Sequence, residues 1–474
     1  MFESFSDADL IDGMGETTRG ESAQIARRLE IIGELDARRS VELAEMKLWR
    51  TDPFEAVAAE VSAALNISRA RARTLIHYSR VLRDKLPKIA AVFAAGGIDF
   101  RLLGTLIART DLVDPAVWPD LDEALACNAP KWMKLSEPKL KDRIDEWVAT
   151  HDPNGVRVTP KVDEGRHVTI QPFSPGVATI WATVRADVAA AIDQRLDALV
   201  DTVCENDPRT RDQRRSDALG SIAHMHDQLA CQCGQPDCPT AERRTGAGTA
   251  VIHVLAEQAT IDGTSNAPGY LPGFGIQPAE TVRELAKTAT LKPLTVPGDT
   301  PEPGYRPSVA LAEFVRWRDL TCRFPGCDAP AVRADIDHTA PYPAGPTHPS
   351  NTKLYCRSHH LLKTFHTGPN GWTDRQLPDG TIEFTAPTGH IYTTEPHGAA
   401  LFPALARPTG ELDIPETTAP DANRAIMMPT RKHTREHDRQ TRIAAERRQR
   451  AELNAERQRQ HQAWLADNYE PPPF

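Results

Sequence analysis

Residues 321–363 read TCRFPGCDAPAVRADIDHTAPYPAGPTHPSNTKLYCRSHHLLK. Cys322 and Cys327 flank Arg-Phe-Pro-Gly, a knuckle-like turn, and Cys356 and His359 follow at the i, i+3 spacing that puts two ligands on one helix face. Together they make a closed four-ligand set with no open coordination position. A small irregular segment with little core of its own gains its folding energy from such an ion, so the spacing predicts structural Zn²⁺ at Cys322, Cys327, Cys356 and His359. His360 adjoins His359, but successive residues on a helix point about 100 degrees apart, so the two imidazoles cannot serve the same ion. His360 must face something else. The candidate is Asp337-His338, at the end of the strand-like run AVRADIDH, which leads into a Pro-rich loop ending at Asn351. The expected order is strand, loop, second short strand, helix.

Outward from this stretch, Gly371 to Tyr392 reads as a hairpin turning at Asp379-Gly380, and a Pro-rich linker precedes a charged tail whose Ala, Arg, Glu and Gln content favours helix. The thin apolar stripe of that tail predicts a lone or partly disordered basic helix, either touching phosphate or simply solvated. On the N-terminal side, Ser22 to Met46 carries Ile25, Leu29, Ile32 and Leu35 at helical spacing, and the first 150 or so residues read as helix after helix. Phe54 to Leu65 reads as one amphipathic helix, and Ser68 caps a second that runs to about Leu82, a helix-turn-helix pattern. Arg69 and Arg73 on the second helix are candidate nucleic-acid contacts; the plainer reading is a solvated face of an ordinary helical pair.

HVTIQPF and VATIWATV around Ser-Pro-Gly predict a β-hairpin between Arg166 and Val184, and helical spacing resumes from Asp187 to Val203 and from Ser216 to Leu229. Then CQCGQPDCP places Cys231, Cys233 and Cys238 within eight residues. Three thiols so close can share a second zinc, with Cys204, His224 or His226 as the fourth ligand; a turn with three reduced thiols fits the same residues. Val251 to Leu255 reads as a strand and Pro278 to Lys287 as a short helix.

At 474 residues the chain is long enough for two or more cores, and its eight cysteines are too sparse for a disulfide scaffold. No stretch approaches the roughly 18 to 20 apolar residues of a membrane span, so the expectation is a cytoplasmic protein without membrane contact. The formal net charge is −9, yet Arg424 to Gln460 carries 11 Lys/Arg against 5 Asp/Glu. Any DNA contact must be local.

Asp337-His338, Asn351 and His360 with Lys363, framed by the four zinc ligands, resemble an HNH endonuclease with its ββα-metal fold. The helical N-terminal half, the Cys-x-Cys turn, PGYLPGFG, YRPS, CRFPGC and the trailing GW, DG and PTG elements are similar to the actinobacterial thirteen-E-twelve repeat proteins, in which a domain of unknown function precedes the HNH module. The fold class so implied is mainly α: a multi-helix N-terminal domain with a small β-hairpin insertion, then a zinc-stabilised ββα-metal HNH module and a charged helical tail. The expected divisions are 1–160, 161–300, 309–395, a linker at 396–420 and a tail at 421–474.

The chemistry agrees with that resemblance. His338 would take the proton of the attacking water, because an imidazole titrates near neutral pH. Asp337 and His360 would hold one divalent ion, Mg²⁺ or Mn²⁺. Asn351 would orient the loop and the His338 ring, and Lys363 could reach a phosphate. Asp335 points to the same strand face as Asp337 and is either a supporting carboxylate or a solvated one. Thr339 stands where the usual residue is apolar. The expected partner is double-stranded DNA. The competing reading is a zinc-stabilised DNA-binding protein whose HNH fold no longer cuts.

Overall fold

Ser6 and Asp9 form a reciprocal capping box, and this starts the first helix, α1 (Asp7–Glu42), well before the apolar stripe becomes visible at Ile25. Its first turns are exposed, so the polar residues there carry no periodicity to read. In the computed structural model the described residues are 5–157, 165–238, 252–287, 289–412 and 427–468. They fall into two units, one joining 1–158 to 294–474 and the other spanning 159–293.

In the first unit, α2 (Pro53–Leu65) is capped by Asp52 and stopped by Asn66 in the left-handed region, and Ser68 then caps α3 (Arg69–Asp84). Four further helices follow, α4 (Pro87–Ala94), α5 (Phe100–Thr110), α6 (Trp118–Asn128) and α7 (Glu137–His151). Leu29, Val57, Ile76, Leu86, Phe93, Leu102, Leu121 and Ile144 are among the residues that fill the core between them.

The second unit begins with an antiparallel hairpin, β1 (His167–Ser174) and β2 (Val177–Thr183), with Ile170 opposite Ile180. Next come α8 (Ala186–Val200) and α9 (Arg211–Ala223), where Arg215 bridges Asp193 and Asp197. A single-turn α10 (Gln258–Ile261), the short pair β3 (Gly269–Leu271) and β4 (Gly275–Gln277), and α11 (Ala279–Ala286) complete it. The strand expected at Val251 to Leu255 begins outside the described residues, and Leu255 makes only an isolated bridge to Tyr270.

The chain returns to the first unit with α12 (Val309–Asp319), β5 (Ala334–His338), β6 (Thr352–Cys356) and α13 (Arg357–Phe365). β5 and β6 are antiparallel, with Asp337 opposite Lys353 and His338 opposite Thr352. The expected Gly371–Tyr392 hairpin gains a third strand, giving β7 (Thr373–Gln376), β8 (Ile382–Thr385) and β9 (Ile391–Thr394) in that order. α14 (His397–Leu401) and the long α15 (Arg435–Asn468) end the described residues. No described helix is long and apolar enough to cross a membrane.

Two expectations are corrected. α2 is not amphipathic but buried on nearly every side: Val57 and Val61 face the helical core, while Ala56, Ala59 and Ala63 pack with Phe324, Tyr355, Trp372 and Phe384. The stretches 1–160 and 309–395 therefore share a core, and small alanines are what let one helix serve both sides. Nor is the tail a lone helix. Arg439 and Arg442 pair with Asp111, Arg447 with Asp152, and Ile443 is buried.

A buried ionic cluster ties this second core together. Asp319 accepts hydrogen bonds from Arg318 Nε at 2.8 Å, Arg323 Nη1 at 3.1 Å and the Leu354 amide at 2.9 Å. Arg318 donates onward to the carbonyls of Pro349 and Thr352, and Arg323 to those of Gly380 and Thr394. Burial opposes ionisation of Asp319, but the two guanidiniums outweigh it and hold the carboxyl below its usual range. A depressed folded value means that this stabilisation is present above about pH 4 and is lost as the pH falls through the folded value. Asp319→Asn should destabilise the unit by about 3–5 kcal/mol, because it leaves two buried cations without their anion; denaturant unfolding at neutral pH checks this.

Candidate metal centre and the acidic and histidine cluster beside it

The Cys322–Cys327 turn is built on Gly326, whose positive φ of 73° lets the backbone close tightly. A Cβ there would lie 2.5 Å from the Ile67 carbonyl and 2.6 Å from Ser62 Oγ, so the knuckle sits directly on the α2–α3 turn. Cys356 is the N-cap residue of α13 and His359 lies in its first turn. The ligand atoms of Cys322, Cys327, Cys356 and His359 all lie within 4.8 Å of one another. His359 Nδ1 is 3.4 Å from both Cys322 Sγ and Cys356 Sγ, and Cys327 Sγ is 4.0 Å from Cys356 Sγ. A tetrahedron with Zn–S near 2.3 Å and Zn–N near 2.0 Å has edges of about 3.5–3.8 Å, so the donor set fits zinc. Burial pushes the Cys322 thiol well above its usual range, and the neighbouring thiols push the same way. A divalent cation is what would make thiolates favourable in so dry a place.

Three thiolates around Zn²⁺ leave one negative charge, and Arg69 and Arg73 stand close enough for their charges to act on His359. Burial holds His359 below the ordinary imidazole value, Cys356 opposes it, and the two arginines add to the depression. These are the arginines expected to meet DNA. In the structure Arg73 is paired with the buried Glu55, and the α2–α3 turn is covered by the knuckle, so α3 is not a free recognition helix. Arg80 is likewise taken by Asp36.

His360, one residue on, faces β5. Its Nδ1 lies 2.9 Å from Asp335 Oδ2 and its Nε2 lies 3.5 Å from Asp337 Oδ1. The Asp335 carboxylate can only accept, so Nδ1 carries a proton, and Nε2 is the nitrogen turned toward Asp337. A carboxylate oxygen and an imidazole nitrogen so placed suit adjacent positions around one hard cation, whose octahedral edge is about 3.0 Å. Asp337 Oδ2 is occupied differently, by Lys353 Nζ at 3.0 Å and Lys363 Nζ at 2.8 Å. Burial would raise the Asp337 carboxyl, but Lys353, Lys363 and His360 outweigh it, and it sits at about 2. Lys363, expected to reach a phosphate, bonds here to Asp337 and to the His338 carbonyl. Lys353 escaped the sequence reading. It is fully buried, bridges Asp337 to Asp374 at 2.9 Å, and donates to Thr339 Oγ1 at 2.8 Å, so the departure at Thr339 supplies a polar partner.

His338 Nε2 lies 2.8 Å from Thr347 Oγ1, and that hydroxyl donates to the Gly304 carbonyl at 2.6 Å. The hydroxyl has one proton, so it must accept from Nε2–H, and Nδ1 becomes the basic nitrogen. Tyr305 stacks on the ring at a centroid distance of 5.2 Å. Burial holds His338 below the ordinary imidazole value, with Asp337 opposing. Asn351 clamps the intervening loop, accepting from the Ala340 amide at 2.8 Å and donating to the Ala340 and Pro346 carbonyls at 3.1 and 2.9 Å. The ring itself is held by Thr347 rather than by Asn351, a partner hidden in a Pro-rich loop.

The sequence matches a domain of unknown function, DUF222, over residues 16–319. The chain belongs to the DUF222 family. Among similar proteins, the uncharacterized protein Rv2100 of Mycobacterium tuberculosis is 42% identical, with 99% of this chain and 90% of the relative aligned. The uncharacterized protein Rv3776 of the same organism is 41% identical over 98% of this chain and 94% of its own length. No solved structure matches.

The DUF222 match stops at Asp319, just before Cys322, and contains the other cysteine cluster whole. There Cys204, Cys231, Cys233 and Cys238 bring their sulfurs within 4.8 Å of one another, so Cys204 completes the set and His224 and His226 do not. Cys204 Sγ lies 3.5 Å from Cys231 Sγ, too far for a disulfide and suited to a shared ion. The contact with Cys231, aided by burial, pushes the Cys204 thiol up to about 12. Both clusters are able to bind a structural metal such as zinc. Elemental analysis of the purified protein should find close to two zinc ions per chain, with Cys204→Ser and Cys356→Ser each removing one; a zinc-free wild type would contradict the assignment.

Proposed function

We propose that this protein is a metal-dependent endonuclease of the HNH type that hydrolyses DNA phosphodiester bonds. One observation carries the reading: His338 and His360, on different elements, are each held in a defined orientation, by Thr347 and by Asp335, beside the single carboxylate of Asp337. A structural role alone does not call for an imidazole whose basic nitrogen is left available beside another whose ring nitrogen is turned toward an ionised carboxylate.

Asp337 Oδ1 and His360 Nε2 would hold the divalent ion, Mg²⁺ or Mn²⁺. When bound, it would supply charge neutralisation for the scissile phosphate and its departing 3′ oxygen. His338 Nδ1 accepts the proton of the attacking water; its depressed pKa keeps it unprotonated at neutral pH, and Thr347 prevents the ring from turning away. Asp335 fixes His360. Lys353 and Lys363 keep Asp337 ionised while occupying only Oδ2. Asn351 sets the loop between His338 and Thr347, where Gly345 is obligatory in size: a Cβ there would lie 2.2 Å from the Ala340 carbonyl and 2.6 Å from Asn351 Nδ2.

The substrate proposed is double-stranded DNA in the cytoplasm; Tyr305 and Tyr342, whose rings meet edge-on at 6.0 Å beside His338, are exposed aromatics at the site. Supercoiled plasmid incubated with the protein and Mg²⁺ or Mn²⁺ should be nicked or linearised, and His338→Ala should slow this roughly 10²- to 10⁴-fold, the usual worth of a general base. Plasmid binding without cleavage under any divalent ion would favour a DNA-binding protein with an inactive HNH fold instead.

A further inference from the structure

Away from the histidines, α3, the start of α13 and the segment before α15 enclose an open cleft of about 520 Å³. Its walls bring together Arg50, Arg73, Arg431, Lys432 and Arg435, from three stretches far apart in sequence, with Ser358 at the floor. The carboxylates within reach do not balance these cations. Glu55 serves both Arg73 and Arg435, Asp52 serves Arg435 and Asp438 serves Arg431. Arg50 and Lys432 are exposed and have no ion-pair partner among the described residues. The Nε groups of Arg73 and Arg431 are buried and lack an acceptor among the described residues. Arg73 is also held below the ordinary guanidinium value, by burial first and then by the charge of Arg435. On a chain of net charge −9 this is a local and uncompensated concentration of positive charge.

We propose that this cleft is a contact for the phosphodiester backbone of DNA, separate from the Asp337 and His360 site. The proposal rests on the nucleic-acid reading of that site. Guanidinium donors without acceptors call for a multivalent oxyanion, and arginine supplies the fork geometry that phosphate oxygens accept. Arg50 and Lys432 at the rim give reach to a backbone that cannot enter fully. Ser358 and His360 are two residues apart on α13 and so point about 200 degrees apart around it. Three further arginines of the basic tail do not compete for this role, because Arg439, Arg442 and Arg447 are committed to Asp111 and Asp152.

The test uses the full-length His338→Ala protein, so that binding is read without cleavage, and a fluorescent duplex of about twenty base pairs titrated over a range of salt. Arg50→Gln/Lys432→Gln removes two rim charges that hold nothing else in the fold. It should weaken binding about tenfold at moderate salt and flatten the slope of log K against log salt by close to two, at about 0.9 per phosphate contact. The matched control, Arg448→Gln/Arg457→Gln on exposed positions of α15, should leave the slope unchanged. The proposal is overturned if the parent does not bind duplex, if the rim variant keeps the parent slope, or if the control falls as far. Calorimetry with inorganic phosphate separates a small-anion site: phosphate binding that the rim variant loses, with duplex affinity intact, also overturns it. Plasmid cleavage by the wild type is judged apart. Its absence with the slope change present removes the nuclease and leaves the cleft, whereas cleavage with an unchanged slope removes the cleft alone.

Discussion

The rotation of one short helix decides the rest. Cys356 and His359 contribute to a single four-atom cluster, and a helix gripped at two positions three residues apart cannot turn about its axis. With His359 turned to the sulfurs, His360 is carried about 100 degrees round, toward Asp335 and Asp337, and Ser358 is carried the other way, toward the basic cleft. The knuckle that completes the cluster is pressed against the turn between α2 and α3 through Gly326. The position of the histidines is thereby referred back to the N-terminal helices, more than 250 residues earlier in the chain.

The module around the cluster is unusual in what it buries. Lys353 between Asp337 and Asp374, and Asp319 between Arg318 and Arg323, are ion pairs withdrawn from water, and such pairs stabilise only when nearly every donor and acceptor is satisfied. Here they are: both arginines spend their remaining donors on backbone carbonyls of the loops they join. Its own buried residues, Phe324, Tyr355, Leu362, Trp372, Ile382 and Phe384, pack against one another and against the alanine face of α2. The region thus joins a small aromatic core to a four-ligand cluster, buried charge networks and the face of a helix from the N-terminal part.

Local signals were legible in the sequence. Four metal ligands at characteristic spacing, the alternation that ends at Asp337-His338, the Ser68 cap and the turn between β1 and β2 all depend on residues within a few positions of one another. What could not be read was pairing at a distance. Cys204 lies 27 residues before Cys231, and two nearer histidines looked equally able to be the fourth ligand. Arg73 and Arg80 of α3 looked free because their partners Glu55 and Asp36 sit on other helices, and the tail looked solvated because Asp111 and Asp152 lie about 300 residues away. Lys353 carries no local signal; only the register that sets it opposite Asp337 shows that it faces inward. Thr347, which fixes the His338 ring, stands in a loop with no periodicity at all.

The account turns on whether the locked helix presents His360 and Asp337 to an ion, and Mn²⁺ binding followed by electron paramagnetic resonance reads this without any substrate. In the zinc-loaded protein the account predicts one Mn²⁺ site that His360→Ala loses while the zinc content stays the same. Mn²⁺ bound equally well by the wild type and by His360→Ala, or by neither, would contradict it.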